Sequence, residues 1–229
     1  MELELLSRLN EMRSKRIAVI VATDMTDGSQ SGKGRQRLFV RGEISDDEPL
    51  NDELNARFLS GKSGSVGEVF LAVYLPPPRL VIIGAVHISQ HMVGLAQAAG
   101  FDVSVIDPRT AFASPERFPN VTLHAEWPDE ILNDQPLDSY TALAALTHDP
   151  KIDDVPLEAA LHAGCFYVGA LGGRKTNEKR IARLRSSGVS DDQLARIDAP
   201  IGLDIGATSP AEIAVAVLGS VIANLRGKA

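Results

Sequence analysis

The sequence predicts an α/β protein: a Rossmann-like parallel sheet domain preceded by a small, reduced N-terminal α/β subdomain. Three observations predict this class. From residue 80 onward, short apolar runs alternate with helical stretches, which is typical of a parallel sheet with crossover helices. Polar or glycine residues follow these runs, as expected at the ends of buried strands. Finally, Pro76-Pro77-Pro78 forms a stiff extended spacer before the regular part. We therefore expect two domains, residues 1–75 and 76–229.

The N-terminal domain is expected to contain two helices and three strands. Leucines at helical spacing predict a first amphipathic helix over residues 2–14. Arg16–Thr23 is continuous and β-branched, which indicates a buried strand. Residues 24–35 are rich in Gly, Ser and Asp and predict a loop. The remaining elements are a strand, a short helix and a strand: Leu38–Val40, Asp52–Leu59 and Glu68–Leu75.

The C-terminal domain is expected to alternate five strands with helices. The predicted strands are Leu80–Ile83, Asp102–Ile106, Val121–His124, Thr141–Leu146 and Phe166–Val168. The predicted helices are His87–Ala99, Asp154–Ala163, Thr176–Ser187 and the nearly all-apolar Pro210–Leu225. Capping boxes are predicted at Ser190-x-x-Gln193 and Ser209-x-x-Glu212. Right-handed crossovers bring the strand ends to one edge, where such sheets bind ligands: Gly84, Asp107, Thr147 and Gly169.

Composition excludes several classes of function. The 229 residues are 44% hydrophobic and 23% charged, as in a soluble globular protein. The net charge of −7 argues against a nucleic-acid partner. The single cysteine, Cys165, excludes an internal disulfide and a cysteine-cluster zinc or iron–sulfur site. We see neither an apolar run of the ~18 residues that a membrane span needs nor a signal-peptide core, and we expect a cytoplasmic location.

The first candidate site is the turn from Gly84 to Ser89, which follows a strand and opens a helix. Asp107 lies twenty-three residues further on, where a dinucleotide-binding fold places its ribose-binding acid. Val86, however, stands where a second glycine would let the backbone approach a pyrophosphate. This favours a Rossmann-type fold without a dinucleotide, and leaves a degenerate NAD(P)-dependent oxidoreductase as the alternative. His87, in the first turn of the helix, is equally consistent with a ligand contact and a polar edge residue.

The second candidate is Thr147-His148-Asp149, directly after an apolar strand. Polar residues at a carboxyl strand end normally face the cleft. His148 and Asp149 are consistent with an acid/base pair or with two metal ligands of a small hydrolase. Two ligands do not make a metal site, and no metal-binding spacing supports them, so lining of a binding cleft is the favoured interpretation.

The third candidate is the glycine-rich turn Gly169–Thr176. Its glycines expose backbone N–H groups at the start of a helix, and Arg174 and Lys175 add positive charge. This favours an anion or phosphate site over a purely structural turn. It is not a P-loop, because the lysine follows Arg174 rather than a glycine.

Taken in order, five segments resemble the XdhC/CoxI family of accessory proteins for molybdenum hydroxylases, such as xanthine dehydrogenase, aldehyde oxidoreductases and carbon monoxide dehydrogenase. The resemblance covers residues 80–225. The segments are GAVHIS, VSVIDPRTAFASPERFP, LTHDPKIDD, FYVGALGGRKT and APIGLDIGATSPAEIAVAV.

The resemblance implies a maturation factor rather than an enzyme in the ordinary sense. Such a protein binds the molybdenum cofactor in its molybdopterin form, protects it during sulfuration and delivers it to the client apoenzyme. Contact with a cysteine desulfurase is also expected, and the apolar last helix and the proline spacer suggest a homodimer, although both also suit a monomer. The implied cofactor-binding residues are Gly84, His87, Asp107, Arg109, Thr147, His148, Asp149, Gly172, Gly173, Arg174 and Lys175.

This chain departs from the family pattern at three places. The family's N-terminal Ser-Gly-Gly-Cys-Val-Glu segment has no counterpart, since residues 24–66 contain no cysteine. A thiol from that segment is therefore absent here. Gly173 replaces the serine of a family Gly-Ser-Arg turn, and Gly219-Ser220 stand where an Ala-Glu is usual in the last helix.

Overall fold

The structure, a computed structural model, describes residues 2–26 and 35–227. It divides into two compact units, Met1–Pro76 and Pro77–Ala229. Most of the predicted loop over residues 24–35 lies outside the described residues.

The first unit is a four-stranded antiparallel sheet with two helices. Its elements are α1 (Leu3–Ser14), β1 (Val19–Asp24), β2 (Gln36–Val40), α2 (Asn51–Ser60), β3 (Gly64–Val66) and β4 (Val69–Tyr74). The strand order is β2-β1-β4-β3. The three-residue β3 was not predicted, because Gly64-Ser65-Val66 carries too little apolar pattern to indicate a strand.

The second unit is a six-stranded parallel sheet with helices on both faces. Its elements are β5 (Arg79–Ile83), α3 (His87–Ala98), β6 (Asp102–Ile106), β7 (Thr122–His124), α4 (Pro128–Asp134), β8 (Thr141–Ala145), α5 (Pro150–His162), β9 (Tyr167–Ala170), α6 (Arg174–Ser186), α7 (Asp191–Leu194), β10 (Ile197–Asp198) and α8 (Pro210–Leu225). The strand order is β10-β9-β8-β5-β6-β7, and every pair is parallel. Counted along the chain from β5, this is the 3-2-1-4-5-6 order of the Rossmann fold. The predicted fold class is confirmed.

Two apolar cores sandwich the parallel sheet, because alternate residues of each strand face opposite sides. In β5, Leu80 and Ile82 belong to one core, and Val81 and Ile83 belong to the other. Helices α3 and α8 cover the first core, and helices α4 to α7 cover the second. This burial on both faces explains why the strands are continuous apolar runs. The apolar last helix is therefore buried against the sheet.

The structure corrects three details of the predicted elements. Helix α4 and strand β10 were missed, since one has seven residues and the other only two. Helix α5 begins at Pro150 rather than near Asp154. Strand β9 ends at Ala170, so the sheet edge lies one residue beyond Gly169. Both predicted capping boxes are present.

Among the described residues, none of the helices combines the length and the apolarity needed to cross a membrane.

Candidate functional site

The carboxyl ends of β5 and β8 meet at the point where the strand order reverses. Gly84 follows β5 with φ +110, and a Cβ added there would lie 2.7 Å from Cγ2 of Thr147, which follows β8. A side chain would therefore be both strained and sterically blocked at position 84. In open α/β sheets, the crevice at this reversal is where ligands bind.

Asp107 fixes the turn beside this crevice instead of facing it. Its side chain is fully buried, and Oδ2 accepts hydrogen bonds from the Ala85 N–H and from Nη2 of Arg109, both at 2.7 Å. Oδ1 accepts from the Arg109 N–H at 3.0 Å and from its Nε at 2.9 Å. Burial alone would raise the pKa of Asp107, but these hydrogen bonds outweigh it and lower the pKa.

This geometry changes the part expected of Asp107. Because Arg109 and Ala85 occupy both carboxylate oxygens, Asp107 positions Arg109 and the Gly84-Ala85 turn and does not present a free carboxylate to a ribose. The Ala85 N–H is likewise engaged and does not point to a pyrophosphate. Arg109 keeps 34% of its side chain exposed at the edge of the sheet.

Thr147 and Asp149 build the start of α5. Asp149 is the N-cap, and its Oδ1 accepts from the Lys151 N–H at 3.0 Å. The Asp149 N–H donates to Oγ1 of Thr147 at 3.0 Å, and that hydroxyl donates to Oδ1 of Asp153 at 2.7 Å. Asp149 thus caps a helix, and this is a different part from the alternative in which it pairs with His148. Asp149-Pro150 is an N-cap followed by proline at N1, the same signal that correctly located the start of α8.

His148 is the exposed member of this triplet. It adopts a left-handed backbone conformation with φ +65, which is uncommon for a residue other than glycine. A Cβ added at Gly172 would lie 3.6 Å from its Nδ1, so the imidazole stands beside the glycine-rich turn. His148 therefore connects the β8 edge of the site to the β9 edge.

A large cavity opens on one side of His148. We call it the apolar cavity; its volume is about 550 Å³. Its walls are the glycine-rich turn, the segment after β10 and part of α8. The lining residues are His148, Leu171, Gly172, Gly173, Pro200, Ile201, Gly202, Leu203, Asp204, Ile205, Gly206, Ala207, Ile213 and Ala216.

The segment after β10 is held against the sheet by one carboxylate. Oδ2 of Asp198 accepts from the Tyr167 hydroxyl at 2.7 Å, the Ser220 hydroxyl at 2.9 Å and the Gly202 N–H at 3.1 Å. Burial is the main cause that raises the pKa of Tyr167, so its hydroxyl remains a donor. Residues 200–207 are thereby positioned as a wall of the apolar cavity, a part that the sequence did not predict.

A second, smaller cavity lies on the other side of His148, between α5 and α6. We call it the basic pocket; its volume is about 280 Å³. It is lined by His148, Pro150, Asp153, Asp154, Lys175, Thr176, Lys179, Arg180 and Arg183.

Asp153 and Arg180 line the basic pocket and were not predicted as site residues. Asp153 is 1% exposed, and burial raises its pKa to about 6 against the lowering effects of the Thr147 hydrogen bond and the charge of Arg180. Arg180 is 2% exposed and its Nη2 donates to the Leu171 carbonyl at 2.8 Å, which anchors the glycine-rich turn. Arg180 lies within the predicted helix Thr176–Ser187, and Asp153 lies one residue before the predicted start of the preceding helix, so no local signal distinguished either residue.

The two cavities include only some of the remaining predicted residues. Gly172 and Gly173 line the apolar cavity, and Gly173 is the N-cap of α6. Lys175 lines the basic pocket, while Arg174 is exposed in the same first helical turn. The helix N-terminus carries partial positive charge and suits an anion. His87 is exposed in the first turn of α3 and, among the described residues, is not part of the lining of either cavity.

Cys165 lies in the core below the sheet and is fully buried. Burial raises the pKa of its thiol to about 12, so it is neither a thiolate nor accessible. Within residues 2–26 and 35–227, no three His, Cys, Asp or Glu side chains are grouped as metal ligands would be. The metal-dependent hydrolase suggested by His148 and Asp149 therefore gains no support from the geometry.

Comparison with known proteins finds one family. The family model described as the XdhC Rossmann domain matches residues 80–221. Three relatives align with 65% to 69% of this chain. YqeB of Escherichia coli, named as an uncharacterized protein, is 34% identical over 164 residues. A Bacillus subtilis protein named as a probable xanthine dehydrogenase subunit is 30% identical over 155 residues, and the molybdenum cofactor insertion chaperone PaoD of Escherichia coli is 30% identical over 148.

These relatives are longer than this chain, which spans 29% of YqeB, 45% of the Bacillus subtilis protein and 40% of PaoD. A crystal structure described as a xanthine dehydrogenase from Bacillus halodurans superimposes with a TM-score of 0.64. It is 23% identical, and the match covers 99% of this chain and 65% of that one. At this identity, the match supports the fold alone.

Proposed function

This chain belongs to the XdhC family, and from that premise we propose that it is a maturation factor that binds the molybdenum cofactor and delivers it to a molybdenum hydroxylase. The cofactor is cargo in this proposal and is bound transiently in its molybdopterin form. The name of the relative PaoD, a molybdenum cofactor insertion chaperone, supports the same class of role. The proposal includes assistance during cofactor sulfuration.

The observation that carries the proposal is the apolar cavity at the carboxyl edge of the sheet, bordered by the N-terminus of α6. Its volume of about 550 Å³ is within the range of small-molecule and cofactor sites. The flanking residues Ile201 and Leu203 offer apolar contact to a flat ring system. The first turn of α6, with Arg174 and Lys175, offers amide groups and positive charge to a phosphate. The donor set therefore fits an anionic, ring-bearing ligand.

Each predicted residue has a defined part in this proposal. Gly172 and Gly173 keep the backbone open at the phosphate end, and Arg174 and Lys175 attract the anion. His148 stands beside the turn and contacts the ligand from the β8 side. Thr147 and Asp149 hold the start of α5, and Asp107 orients Arg109. His87 and Arg109 remain proposed contacts at the outer edge of the cleft.

The proposed partners follow from the same class of function. The client is the apoenzyme of a molybdenum hydroxylase, as the name of the Bacillus subtilis relative suggests. A cysteine desulfurase as sulfur donor, a homodimeric state and a cytoplasmic location complete the proposal. Since Cys165 is buried, the chain's only cysteine does not hold molybdenum, and recognition rests on the phosphate and the ring.

The direct test is to titrate purified molybdenum cofactor into the protein and to monitor binding by the absorbance of the cofactor. Replacing Arg174 and Lys175 by alanine should weaken binding on the order of tenfold or more and flatten its dependence on salt, because screened charge attraction is lost. The matched control replaces Arg8 and Lys15, two exposed cations of the other unit, and should leave affinity unchanged.

A parallel titration with NADH separates this proposal from the NAD(P)-dependent alternative. Tight NADH binding without cofactor binding would overturn the maturation role. Unchanged cofactor affinity in the Arg174/Lys175 variant would mean that the glycine-rich turn is only structural.

A further inference from the structure

We infer that the basic pocket is a phosphate-binding site in which one proton is held between Asp153 and a phosphate oxygen. The pocket is separate from the apolar cavity, although His148 borders both. The inference does not need the cofactor role: it concerns the chemistry of the pocket itself. If the cofactor role holds, the pocket would receive a phosphate of the cargo, and that extension rests on the proposed function.

Two buried polar atoms at the pocket lack a hydrogen-bond partner among the described residues: Oδ2 of Asp153 and Nε of Arg180. Their side chains are 1% and 2% exposed, and both line the pocket. Leaving a buried charged group unsatisfied is costly, so such atoms call for an explanation. One is an acceptor and the other a donor. A ligand that satisfies both must itself accept a hydrogen bond and supply a proton.

The charge of the pocket selects an anion. Arg183 is neutralised by Asp154, whose two oxygens lie 2.5 Å and 2.9 Å from its Nε and Nη2. Lys175 and Lys179 extend from the exposed side of α6 and, with Arg180, provide three cations against the single carboxylate of Asp153. The volume of about 280 Å³ is just below the range of drug-sized ligand sites, which suits a small tetrahedral anion or one terminal phosphoryl group.

Asp153 distinguishes between tetrahedral anions. Above its pKa of about 6, the carboxylate can only accept a hydrogen bond. Hydrogen phosphate carries a P–OH that donates to this oxygen, whereas sulfate has no proton to offer and would place an oxyanion against a carboxylate. Below that pKa, Asp153 supplies the proton itself and sulfate becomes acceptable.

Several polar and charged groups face Asp153 from the elements packed against it. They are His148 on the β8–α5 connection, Asp154 on its own helix, Lys175, Lys179, Arg180 and Arg183 on α6, and Arg109 across the sheet edge. These groups act on phosphate and sulfate alike, because both are anions of similar shape. At about pH 8 both anions also carry two negative charges, so the ratio of their affinities isolates the contribution of Asp153.

The experiment is calorimetric titration of the full chain with inorganic phosphate and with sodium sulfate at constant ionic strength. At about pH 8, phosphate should bind on the order of tenfold more tightly than sulfate, the ratio expected when one anion leaves a buried carboxylate unsatisfied. At about pH 5, where Asp153 is protonated, the parent's phosphate-to-sulfate ratio should fall to the ratio of Asp153→Asn at the same pH, a comparison that cancels the charge lost by phosphate itself. Asp153→Asn presents an amide donor in place of Oδ2 and should bring the ratio close to one at about pH 8, where both anions carry two negative charges.

Two further variants keep the test independent of the folding of Asp153→Asn. Replacing Lys175 and Lys179, both exposed, by alanine should weaken the binding of both anions on the order of tenfold. Arg185→Ala removes a cation from the same helix outside the pocket and should change neither affinity.

Absence of phosphate binding by the parent protein would overturn the inference, and so would an unchanged phosphate-to-sulfate ratio in Asp153→Asn. Phosphate binding without any cofactor binding would support the pocket and refute the proposed function. Cofactor binding without phosphate binding would support the proposed function and refute the phosphate site in the basic pocket.

Discussion

Replacing Asp153 by asparagine is expected to stabilise the second unit at about pH 8 and to remove part of its pH dependence. Asparagine resembles the protonated carboxyl in shape. Its Oδ1 can still accept the hydrogen bond that the Thr147 hydroxyl donates to Asp153 at 2.7 Å. The substitution therefore removes the buried negative charge and little else.

The size of the effect follows from the pKa of Asp153, which burial raises from 3.8 to about 6. A shift of about two units corresponds to about 3 kcal/mol of unfavourable free energy for the ionised form in the folded state. Because the folded state holds the proton more tightly, stability is highest below pH 3.8 for this group and falls as pH rises to about 6. The free energy of unfolding of the variant should not fall in this way. Above about pH 6 it should therefore exceed that of the parent by up to about 3 kcal/mol.

The assay is urea unfolding followed by the fluorescence of Trp127, the only tryptophan, which lies in the second unit. At about pH 8, the variant's midpoint should lie about 1 M higher than the parent's, and at about pH 4 the two should nearly coincide. Glu158→Gln, which removes a half-buried carboxylate from the same helix, serves as the control. Equal pH dependence in the parent and in Asp153→Asn would refute the reasoning.

Two further substitutions test the crevice. Gly84→Ala forces a Cβ to 2.7 Å from Thr147 at φ +110 and should lower the free energy of unfolding by at least about 1 kcal/mol. The control Gly94→Ala, in the middle of α3 with nothing within 4 Å of the added Cβ, should raise it by about 0.5 kcal/mol. Unchanged stability of Gly84→Ala would contradict the close approach at Gly84. Arg109→Ala leaves the fully buried carboxylate of Asp107 without its ion-pair partner and should lower the free energy of unfolding by about 3 kcal/mol. The control Arg185→Ala breaks an exposed ion pair with Asp191 and should lower it by under about 1 kcal/mol. Equal losses in urea unfolding would show that Asp107 does not depend on Arg109.

The regular part of the fold was predictable because the inner strands β5, β8 and β9 are buried on both faces. Strand Asp102–Ile106 and helix Pro210–Leu225 were located to the residue, since apolar runs and a capping box with Pro210 mark their limits. Short elements were not predicted, because they contain too few residues to show an apolar pattern. Strand β10 contains two residues and is defined by its pairing with β9, a contact that no local pattern encodes.

The candidate site was predicted less completely than the fold. Strand ends carry polar residues in any parallel sheet, so the sequence indicates that Asp107 and Asp149 lie at strand ends but does not indicate their hydrogen-bond partners. One is enclosed by Arg109, and the other caps a helix whose start had been placed four residues too late. Conversely, the wall formed by residues 200–207 depends on Asp198, which meets Tyr167 and Ser220 only in the folded chain.

By itself, the sequence determined the family, the α/β class and the edge of the sheet where polar residues gather, because these depend on patterns repeated along the chain. The tertiary structure decided which of those residues remain free to meet a ligand. Both oxygens of Asp107 and Oδ1 of Asp149 accept hydrogen bonds within the chain, whereas Asp153 and Arg180 are buried with one unpartnered atom each among the described residues. The physical reason is that the partners of a polar atom come from elements distant in sequence, and only packing brings them together.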